Sequence, residues 1–357
     1  MGDSPIYKLR RVKPQSSNNL ADNKRTMDSL ERFQCLITRQ NNKLDRIPLD
    51  YWATKEIDQR LCNFYNCHDK ASLLDKLDVD FRYIEGPKYI GPPLEVHSDG
   101  SENDIWGVPR KRIWFGEGEF RGSYEAVTKS PLEKACTVQE VEGYPLWPDP
   151  NWYDYSVIEA QCDQVHQKKR VALFMGDRLN RIAQLKPMMY VRGVERTLAD
   201  LAKRESPIFN AIIRHFVDFY KEYLIRILKA AHGKIDIIVT GDDFGHQGGL
   251  LCSPRVWRSK LLPGFAEYLQ IAKEFKTKTM HHTCGSVRPI IGDMVAAGLD
   301  ILNPVQPDTA QMDHLDLKKE WGDKLIFHGG MGLQGTLRFG EPKDVAEEVN
   351  KCCKGLG

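Results

Sequence analysis

The sequence predicts an α/β protein whose parallel strands form a (β/α)8 barrel of the TIM type. Short apolar runs of β character are separated by segments of helical periodicity, and this alternation is typical of a parallel sheet. The number and spacing of the runs favour a barrel over a doubly wound sheet. No Gly-x-Gly-x-x-Gly motif follows the early strands, so a dinucleotide-binding fold has little support.

Seven of the expected strands can be placed on the sequence. They are predicted at residues 47–52, 81–84, 170–176, 235–240, 277–282, 299–303 and 324–329. An eighth strand should follow the helix predicted at 341–354, but the sequence stops at Gly357. We therefore expect a barrel that lacks its last strand in this chain, or one that another segment closes.

The chain is predicted to form one barrel domain over residues 26–357. Residues 1–25 are polar and basic, so we expect them to form a flexible N-terminal arm. Between residues 86 and 150, Gly, Pro, Trp and Tyr crowd together. This composition indicates an excursion from the barrel that consists of a β-hairpin with long loops.

The composition excludes several classes of function. Lys and Arg total 51 and Asp and Glu total 49, so the charge balance gives no support for a nucleic-acid or membrane-surface partner. No apolar run approaches the roughly 20 residues that a membrane span needs, and the N-terminus lacks the apolar core of a signal peptide. Nine scattered cysteines indicate reduced thiols in a cytoplasmic protein.

The most informative pair of side chains lies at the end of a late strand. His282 and Cys284 flank a single residue, so their side chains point the same way if the strand continues that far. An imidazole and a thiolate are ligands that zinc accepts readily. The alternative is a hydrogen-bonded core histidine beside a small buried cysteine.

Polar side chains also follow the neighbouring late strands, where a barrel of this type gathers its functional groups. The residues concerned are Arg178, Asp242, Asp243, His246, Asn303, Gln306, His328 and Gln334. Each has an alternative structural role: the aspartates could cap a helix or form salt bridges, the histidines could pack, and Asn303-Pro304 could form a turn.

Four ordered motifs carry a resemblance to a known family. They are Gly-Asp-Asp-Phe-Gly at 241–245, His-Thr-Cys-Gly-Ser at 282–286, Leu-Asp-Ile-Leu-Asn-Pro-Val-Gln at 299–306 and His-Gly-Gly-Met-Gly-Leu-Gln-Gly-Thr-Leu at 328–337. Together they resemble the uroporphyrinogen decarboxylase superfamily, most clearly from residue 235 onward. The resemblance implies a (β/α)8 barrel and offers two branches, the decarboxylase of porphyrin biosynthesis and the zinc-dependent methyltransferases that work with corrinoid proteins.

The residues place the chain closer to the methyltransferase branch. The decarboxylase branch carries an arginine-rich Met-Arg-Gln-Ala-Gly-Arg motif near its N-terminus, whereas the nearest stretch here, residues 47–54, has no arginine. Since arginine binds carboxylates in a fork, its absence disfavours a porphyrinogen with many carboxylates. The methyltransferase branch uses a His-x-Cys pair, which His282 and Cys284 match, and a third ligand from late in the chain, which we expect beyond Gly357.

The resemblance therefore implies a methyltransferase that acts on a small-molecule substrate in partnership with a corrinoid protein. His282 and Cys284 would hold Zn²⁺, and Asp243, His246 and His328 would act in catalysis. The residues expected to bind substrate are Arg178, Asp242, Asn303, Gln306 and Gln334. Because members of the superfamily often form dimers, we also expect a homodimer.

Two alternatives stay open at this point. One is a metal-free decarboxylase of a porphyrinogen or related acid, in which Arg178, Arg181 and Arg192 bind carboxylates. The other is a barrel that has lost catalysis and binds a ligand or a partner.

Overall fold

A computed structural model describes residues 26–118, 121–176 and 181–356. Its α-helices are Ser29–Ile37, Lys55–Tyr65, Lys70–Lys76, Val138–Glu142, Ile158–Gln167, Leu185–Arg192, Val194–Ala202, Pro207–Ala230, Pro254–Lys260, Leu262–Glu274, Ile291–Ala296, His314–Trp321, Thr336–Phe339 and Pro342–Leu356. Short 3-10 helices lie at Asn41–Lys43, Pro150–Trp152 and Arg288–Ile290. The predicted arm at residues 1–25 lies outside the described residues.

Six parallel strands form the central sheet. They are numbered along the chain as β1, Phe81–Ile84; β2, Val171–Phe174; β3, Ile237–Gly241; β4, Lys278–His282; β5, Ile301–Val305; and β6, Ile326–Gly329. Their spatial order follows their order in the chain, and every neighbouring pair is parallel. Consecutive parallel strands with helices between them are the arrangement of a TIM-type barrel.

The sheet forms a half-barrel rather than the complete predicted ring. Each of these six strands lies within two residues of its predicted position. Within the described residues, no strand pairs with the outer edge of β1 or of β6. The α/β class is therefore confirmed, while a closed (β/α)8 barrel stays a prediction.

The strand predicted at residues 47–52 is wrong, because this segment has no regular secondary structure. Pro48 has no N–H to give to a ladder, and the N–H of Leu49 donates to Asp80 Oδ2 at 2.6 Å instead of to a strand. The segment still runs beside the start of β1, since the N–H of Asp80 donates to the Leu49 carbonyl at 2.9 Å. It therefore lies where a first strand was expected without pairing as one.

The strands alternate between two apolar layers. Inside the curved sheet, helix Ser29–Ile37 contributes Phe33, whose ring lies 6.3 Å from that of Phe81. The inner layer consists of Phe33, Phe81, Val171, Leu173, Ile237, Val239, Met280, Ile301 and Ile326. The other side of the strands packs against the surrounding helices, because successive residues of a strand face opposite ways. This packing leaves the carboxyl ends of the strands open for polar groups.

A buried carboxylate ties the N-terminal segments to the sheet. Asp80 accepts hydrogen bonds from Ser29 Oγ at 2.7 Å and Arg46 Nη1 at 2.6 Å, and it also contacts Arg32 Nη1. The side chains of Arg32 and Asp80 are only 3% and 1% exposed. Arg32 also pairs with Asp45 at 2.7 Å. This cluster fixes the chain that leads into residues 47–52.

Residues 86–150 contain the predicted hairpin. Strands Pro109–Phe115 and Gly122–Val127 pair in antiparallel fashion, and Glu102–Asn103 adds a third strand. The hairpin region is fastened to the helical layer by Trp106, which is buried with its ring 4.4 Å from that of Phe216. Among the described helices, none combines the length and apolarity that crossing a membrane requires.

Candidate active site

The candidate site lies at the carboxyl ends of β3, β4 and β5. In the sheet register, His282 at the end of β4 pairs with Gly241 on one side and with Asn303 on the other. The preceding residue, His281, faces the opposite way: it is buried, and its Nδ1 lies 2.8 Å from Thr240 Oγ1. Period-two alternation therefore makes His281 the core histidine and sends His282 towards the opening of the barrel.

Three potential metal ligands meet at this opening. Ligand atoms of Asp243, His282 and Cys284 all lie within 4.8 Å of one another. His282 Nε2 is 3.6 Å from Cys284 Sγ and 3.9 Å from Asp243 Oδ1. The side chains of His282 and Asp243 are 17% and 24% exposed, so they are accessible from the opening but largely shielded from bulk water.

The loop after β4 has a conformation that presents Cys284. The N–H of Cys284 donates to Asp243 Oδ1 at 3.0 Å, and the N–H of Gly285 donates to Gln306 Oε1 at 2.5 Å. Gly285 has a φ of +80°, and a Cβ there would lie 2.5 Å from the backbone nitrogen of His246. Only glycine meets both demands, so it permits the turn that follows the thiol.

The electrostatics of the three groups differ. Burial lowers the pKa of His282, so its imidazole stays neutral, which is the form that binds metals. Burial raises the pKa of the Cys284 thiol to about 11, so the metal-free thiol keeps its proton at neutral pH. Burial would also raise the pKa of Asp243, but the contacting Lys186 ammonium outweighs it and lowers the pKa to about 2. The site thus offers one neutral nitrogen, one thiol and one carboxylate.

A cavity of about 320 Å³ opens onto these groups. Its lining consists of Arg181, Ala183, Lys186, Pro187, Tyr190, Gly241, Asp243, His282 and Cys284. Two cationic side chains therefore face the cavity together with the metal-ligand candidates. The guanidinium of Arg181 also lies over the ring of Trp52, 5.4 Å from its centroid, and that ring packs 5.3 Å from the imidazole of His282.

Asp50, on the irregular segment before β1, is a second polar centre beside the site. Its Oδ2 accepts from Tyr83 OH at 2.6 Å and lies 2.9 Å from His328 Nε2, while its Oδ1 accepts from the N–H of Tyr51 at 2.7 Å. Trp52 Nε1 donates to Tyr83 OH at 2.5 Å. These contacts link the end of β1 to the end of β6.

Asn303 connects this centre to the metal-ligand candidates. Its Nδ2 lies 2.5 Å from His328 Nδ1, and its Oδ1 lies 2.6 Å from His282 Nδ1. The residue is 3% exposed. His328 and Asn303, expected in catalysis and in substrate binding, therefore both lie in a chain of hydrogen bonds that ends at His282; direct contact of either with substrate stays a prediction.

The other residues predicted for the site lie in varied positions. Asp242 is buried, and its carboxylate accepts from the backbone N–H groups of Gln184, Leu185 and Lys186 at 2.7, 3.1 and 2.7 Å. It therefore fastens the start of helix Leu185–Arg192. Burial raises the pKa of Asp242 to about 6, although those N–H groups oppose the shift. Asp242 is absent from the cavity lining, and a role in substrate binding stays a prediction.

Three further predicted residues stand apart from the cluster. Gln306 is buried and supports the Cys284 loop through the contact with Gly285 described above. His246 is exposed, and its Nδ1 accepts from the N–H of Gly248 at 3.1 Å. Gln334 is exposed as well, while Arg178 lies outside the described residues. None of these assignments to catalysis or substrate binding is decided by the structure.

Sequence reasoning missed several residues at the site. Lys186 contacts Asp243, and Asp50, Trp52 and Tyr83 form the second polar centre. A signal was available for the last three, because both segments were predicted as early barrel strands and strand ends carry function in such folds. Lys186 lies on a helix, where nothing in the sequence indicated which face points to the barrel opening.

The parallel half-barrel with polar groups at its strand ends is an α/β fold compatible with a TIM-type barrel. Residues 183–357 match the family model described as uroporphyrinogen decarboxylase (URO-D). Over these residues the match confirms the resemblance to the uroporphyrinogen decarboxylase superfamily that the sequence motifs carry.

Solved structures share the fold. A methyltransferase from Methanosarcina mazei superposes with a TM-score of 0.58 and 15% sequence identity, and the match covers 92% of this chain and 90% of that chain. At this identity the likeness establishes the fold alone. No curated protein sequence matches the chain.

Proposed function

We propose that the protein is a zinc-dependent methyltransferase that acts with a corrinoid protein. The observation that carries the proposal is the convergence of a histidine nitrogen, a cysteine sulfur and a carboxylate oxygen within 4.8 Å of one another at the strand ends. His282 and Cys284 would be two ligands and Asp243 the third, so the described chain already offers a ligand set without a contribution from beyond Gly357.

The donor geometry fits zinc. Ligands bound at about 2.0–2.3 Å in a tetrahedral site lie roughly 3.3–3.6 Å from each other. The 3.6 Å between His282 Nε2 and Cys284 Sγ falls in that range, and the 3.9 Å to Asp243 Oδ1 requires only a small closure. If these three side chains held zinc, a fourth ligand position would be available to substrate, as in catalytic zinc sites.

The chemistry divides between the metal and the chain. Zinc bound here would supply Lewis acidity that lowers the pKa of a substrate thiol or hydroxyl and favours the anionic nucleophile. Lys186 keeps Asp243 ionised and orients its carboxylate, while Arg181 adds positive charge to the cavity wall. The ring of Trp52 packs beside the imidazole of His282, with 5.3 Å between the ring centroids.

The structural neighbour supports methyl transfer as the proposed reaction class. The Methanosarcina mazei protein is itself described as a methyltransferase, and it shares the fold over most of both chains. The corrinoid partner follows from the branch of the superfamily that pairs a His-x-Cys motif with such a protein. We also propose a cytoplasmic location, which the scattered spacing of the nine cysteines favours.

The decarboxylase alternative loses Arg192, one of the three arginines expected to bind substrate carboxylates. Arg192 is buried, pairs with Asp200 at 3.1 Å and donates to the carbonyls of Leu132 and Ala135 at 2.6 and 2.7 Å. A guanidinium fully engaged in this way does not bind substrate. Of the three arginines considered, only Arg181 lies at the cavity among the described residues.

Metal content is the first test. The full chain purified without added metal should contain about one equivalent of zinc, and His282→Ala and Cys284→Ala should each abolish it. As matched controls, His68→Ala and Cys136→Ala remove exposed side chains and should keep the metal. X-ray absorption should show nitrogen, sulfur and oxygen ligands.

Activity is the second test. Zinc-loaded protein should transfer a methyl group between methylcobalamin and a member of a panel of small thiols, followed by the change in corrinoid absorbance. Folded protein without zinc that releases carbon dioxide from a porphyrinogen would establish the decarboxylase instead. Folded protein with neither metal nor turnover would support the barrel without catalysis.

A further inference from the structure

We infer that Asp50 is a positioning residue for the candidate metal site. Through His328 and Asn303, it fixes the tautomer of His282, with the proton on Nδ1 and the lone pair on Nε2. The consequence for metal affinity rests on the function proposed above, whereas the tautomer itself is a property of the metal-free chain.

The direction of the hydrogen bonds is set at Asp50. This carboxylate is only 6% exposed, and an ionised carboxylate can accept hydrogen bonds but cannot donate one. Tyr83 OH already accepts from Trp52 Nε1, so its own proton points to Asp50 Oδ2. The remaining neighbour of Oδ2 is His328 Nε2 at 2.9 Å, which must therefore carry a proton.

The direction then propagates to His282. In the tautomer with its proton on Nε2, His328 presents a lone pair at Nδ1, and Asn303 Nδ2 donates to it across 2.5 Å. The same amide turns its Oδ1 to His282 Nδ1 at 2.6 Å, where it can only accept. His282 consequently keeps its proton on Nδ1. Reversing the amide would force a lone pair of His328 against the carboxylate of Asp50.

This tautomer is the one that a metal requires. The unprotonated Nε2 of His282 is the atom that lies 3.6 Å from Cys284 Sγ and 3.9 Å from Asp243 Oδ1. A metal-binding histidine donates a hydrogen bond from its second ring nitrogen to a neighbouring acceptor. Removing such an acceptor typically lowers metal affinity by about 10–100-fold. Here the partner is an amide whose orientation is set by a carboxylate from another part of the chain.

The hydrogen bonds from Asp50 through His328 and Asn303 to His282 are called the relay here. Asp50→Asn should reverse the direction of donation along it. The N–H of Tyr51 points at Oδ1, so the amide oxygen of the variant occupies that position and its NH2 faces His328. The His328 ring then needs its lone pair on Nε2 and its proton on Nδ1. The amide of Asn303 turns round in response, and the His282 proton moves to Nε2, where it blocks the metal.

The tautomer is measured by nitrogen NMR on the full chain labelled with ¹⁵N-histidine and freed of metal. The His282 signals, identified by their loss in His282→Gln, should show Nδ1 protonated in the parent and Nε2 protonated in Asp50→Asn. Zinc affinity, from competition with a chromophoric chelator, should fall by about 10–100-fold in the variant. Asp58→Asn is the matched control, because Asp58 bonds Tyr51 OH at 2.9 Å and lies outside the relay.

A second substitution separates a tautomer effect from a loss of fold. A carboxylate at position 303 accepts from His282 Nδ1 whatever the state of residue 50. In an Asn303→Asp background, Asp50→Asn should therefore change neither the His282 tautomer nor the zinc affinity. If Asp50→Asn lowers affinity equally in both backgrounds, or if His282 in the parent chain carries its proton on Nε2, the inference is wrong. A correct tautomer without zinc binding would remove the proposed function and leave the relay intact.

Discussion

Removing the carboxylate of Asp80 should destabilise the protein strongly. Losing one partner of a buried ion pair costs about 3–5 kcal/mol, because the other charge stays buried without compensation. In Asp80→Ala, the guanidinium of Arg32 stays buried, at 3% exposure, and loses Asp80 as a partner. Asp45 still pairs with it. Arg46 is 29% exposed and can recover water. We therefore expect Asp80→Ala to lower the free energy of unfolding by about 3 kcal/mol, the lower end of the range.

Asp78→Ala provides the matched control for this substitution. Asp78 also pairs with Arg46 at 2.8 Å and with Arg170 at 2.8 Å, but its side chain is 61% exposed. Exposed pairs contribute about 0–1 kcal/mol. Urea unfolding at equilibrium, followed by circular dichroism, compares the two variants with the parent chain. Equal losses in the two variants, or a loss below about 1 kcal/mol in Asp80→Ala, would refute the argument from burial.

The same substitution should also weaken the site. Asp80 holds Leu49 by a hydrogen bond in each direction, and Asp50 follows directly in the chain. Loosening this contact should raise the dissociation constant for zinc in Asp80→Ala and leave it unchanged in Asp78→Ala, measured at a temperature where both variants are folded.

Three other predictions follow from single residues. Gly285→Ala should cost about 1–3 kcal/mol and reduce zinc content, because its φ is +80° and a Cβ would lie 2.5 Å from the backbone nitrogen of His246; retained stability by urea unfolding would contradict this. Burial raises the pKa of Cys162 from 9 to about 12. Above pH 9 only the unfolded chain releases this proton, so stability falls with rising pH, and Cys162→Ala should show a shallower fall in alkaline denaturation experiments. Arg192→Met should destabilise by about 3 kcal/mol, because the buried carboxylate of Asp200 loses the guanidinium and keeps only Lys203 at 2.8 Å; zinc per folded molecule should be unchanged, and a stable variant with altered turnover would restore Arg192 as a substrate ligand.

Strand periodicity and the position at a strand end predicted from the sequence that the side chains of His282 and Cys284 lie close together. The strand β4 was recognised from its apolar run, and alternation along it placed His282 and Cys284 on one side. Asp243 was expected to act in catalysis because it follows β3, and the structure shows that β3 pairs with β4. These residues belong to consecutive strands, so their proximity follows from local pattern and parallel order.

The remaining contacts could not be predicted because they depend on long-range placement. Asp50 and His328 are separated by 278 positions and meet at 2.9 Å. The alternating apolar residues around Leu49 resemble those of a strand, yet Pro48 and the side chain of Asp80 take the backbone out of the ladder. A sequence pattern shows the alternation of apolar and polar residues, but it does not show which hydrogen-bond partner a backbone N–H has in the folded chain.

The irregular conformation of residues 47–52 is connected to the arrangement of the candidate site. A barrel brings its first and last strands together through a continuous ladder, but here the outer edges of β1 and β6 are not paired by strands among the described residues. Asp50 bridges them instead, accepting from Tyr83 at the end of β1 and bonding His328 at the end of β6. If residues 47–52 had joined the sheet as a strand, their backbone N–H and C=O groups would be paired in the ladder. As an irregular segment, they bring the Asp50 carboxylate to the barrel opening. The contact that joins the two edges is thus also the contact that orients His282.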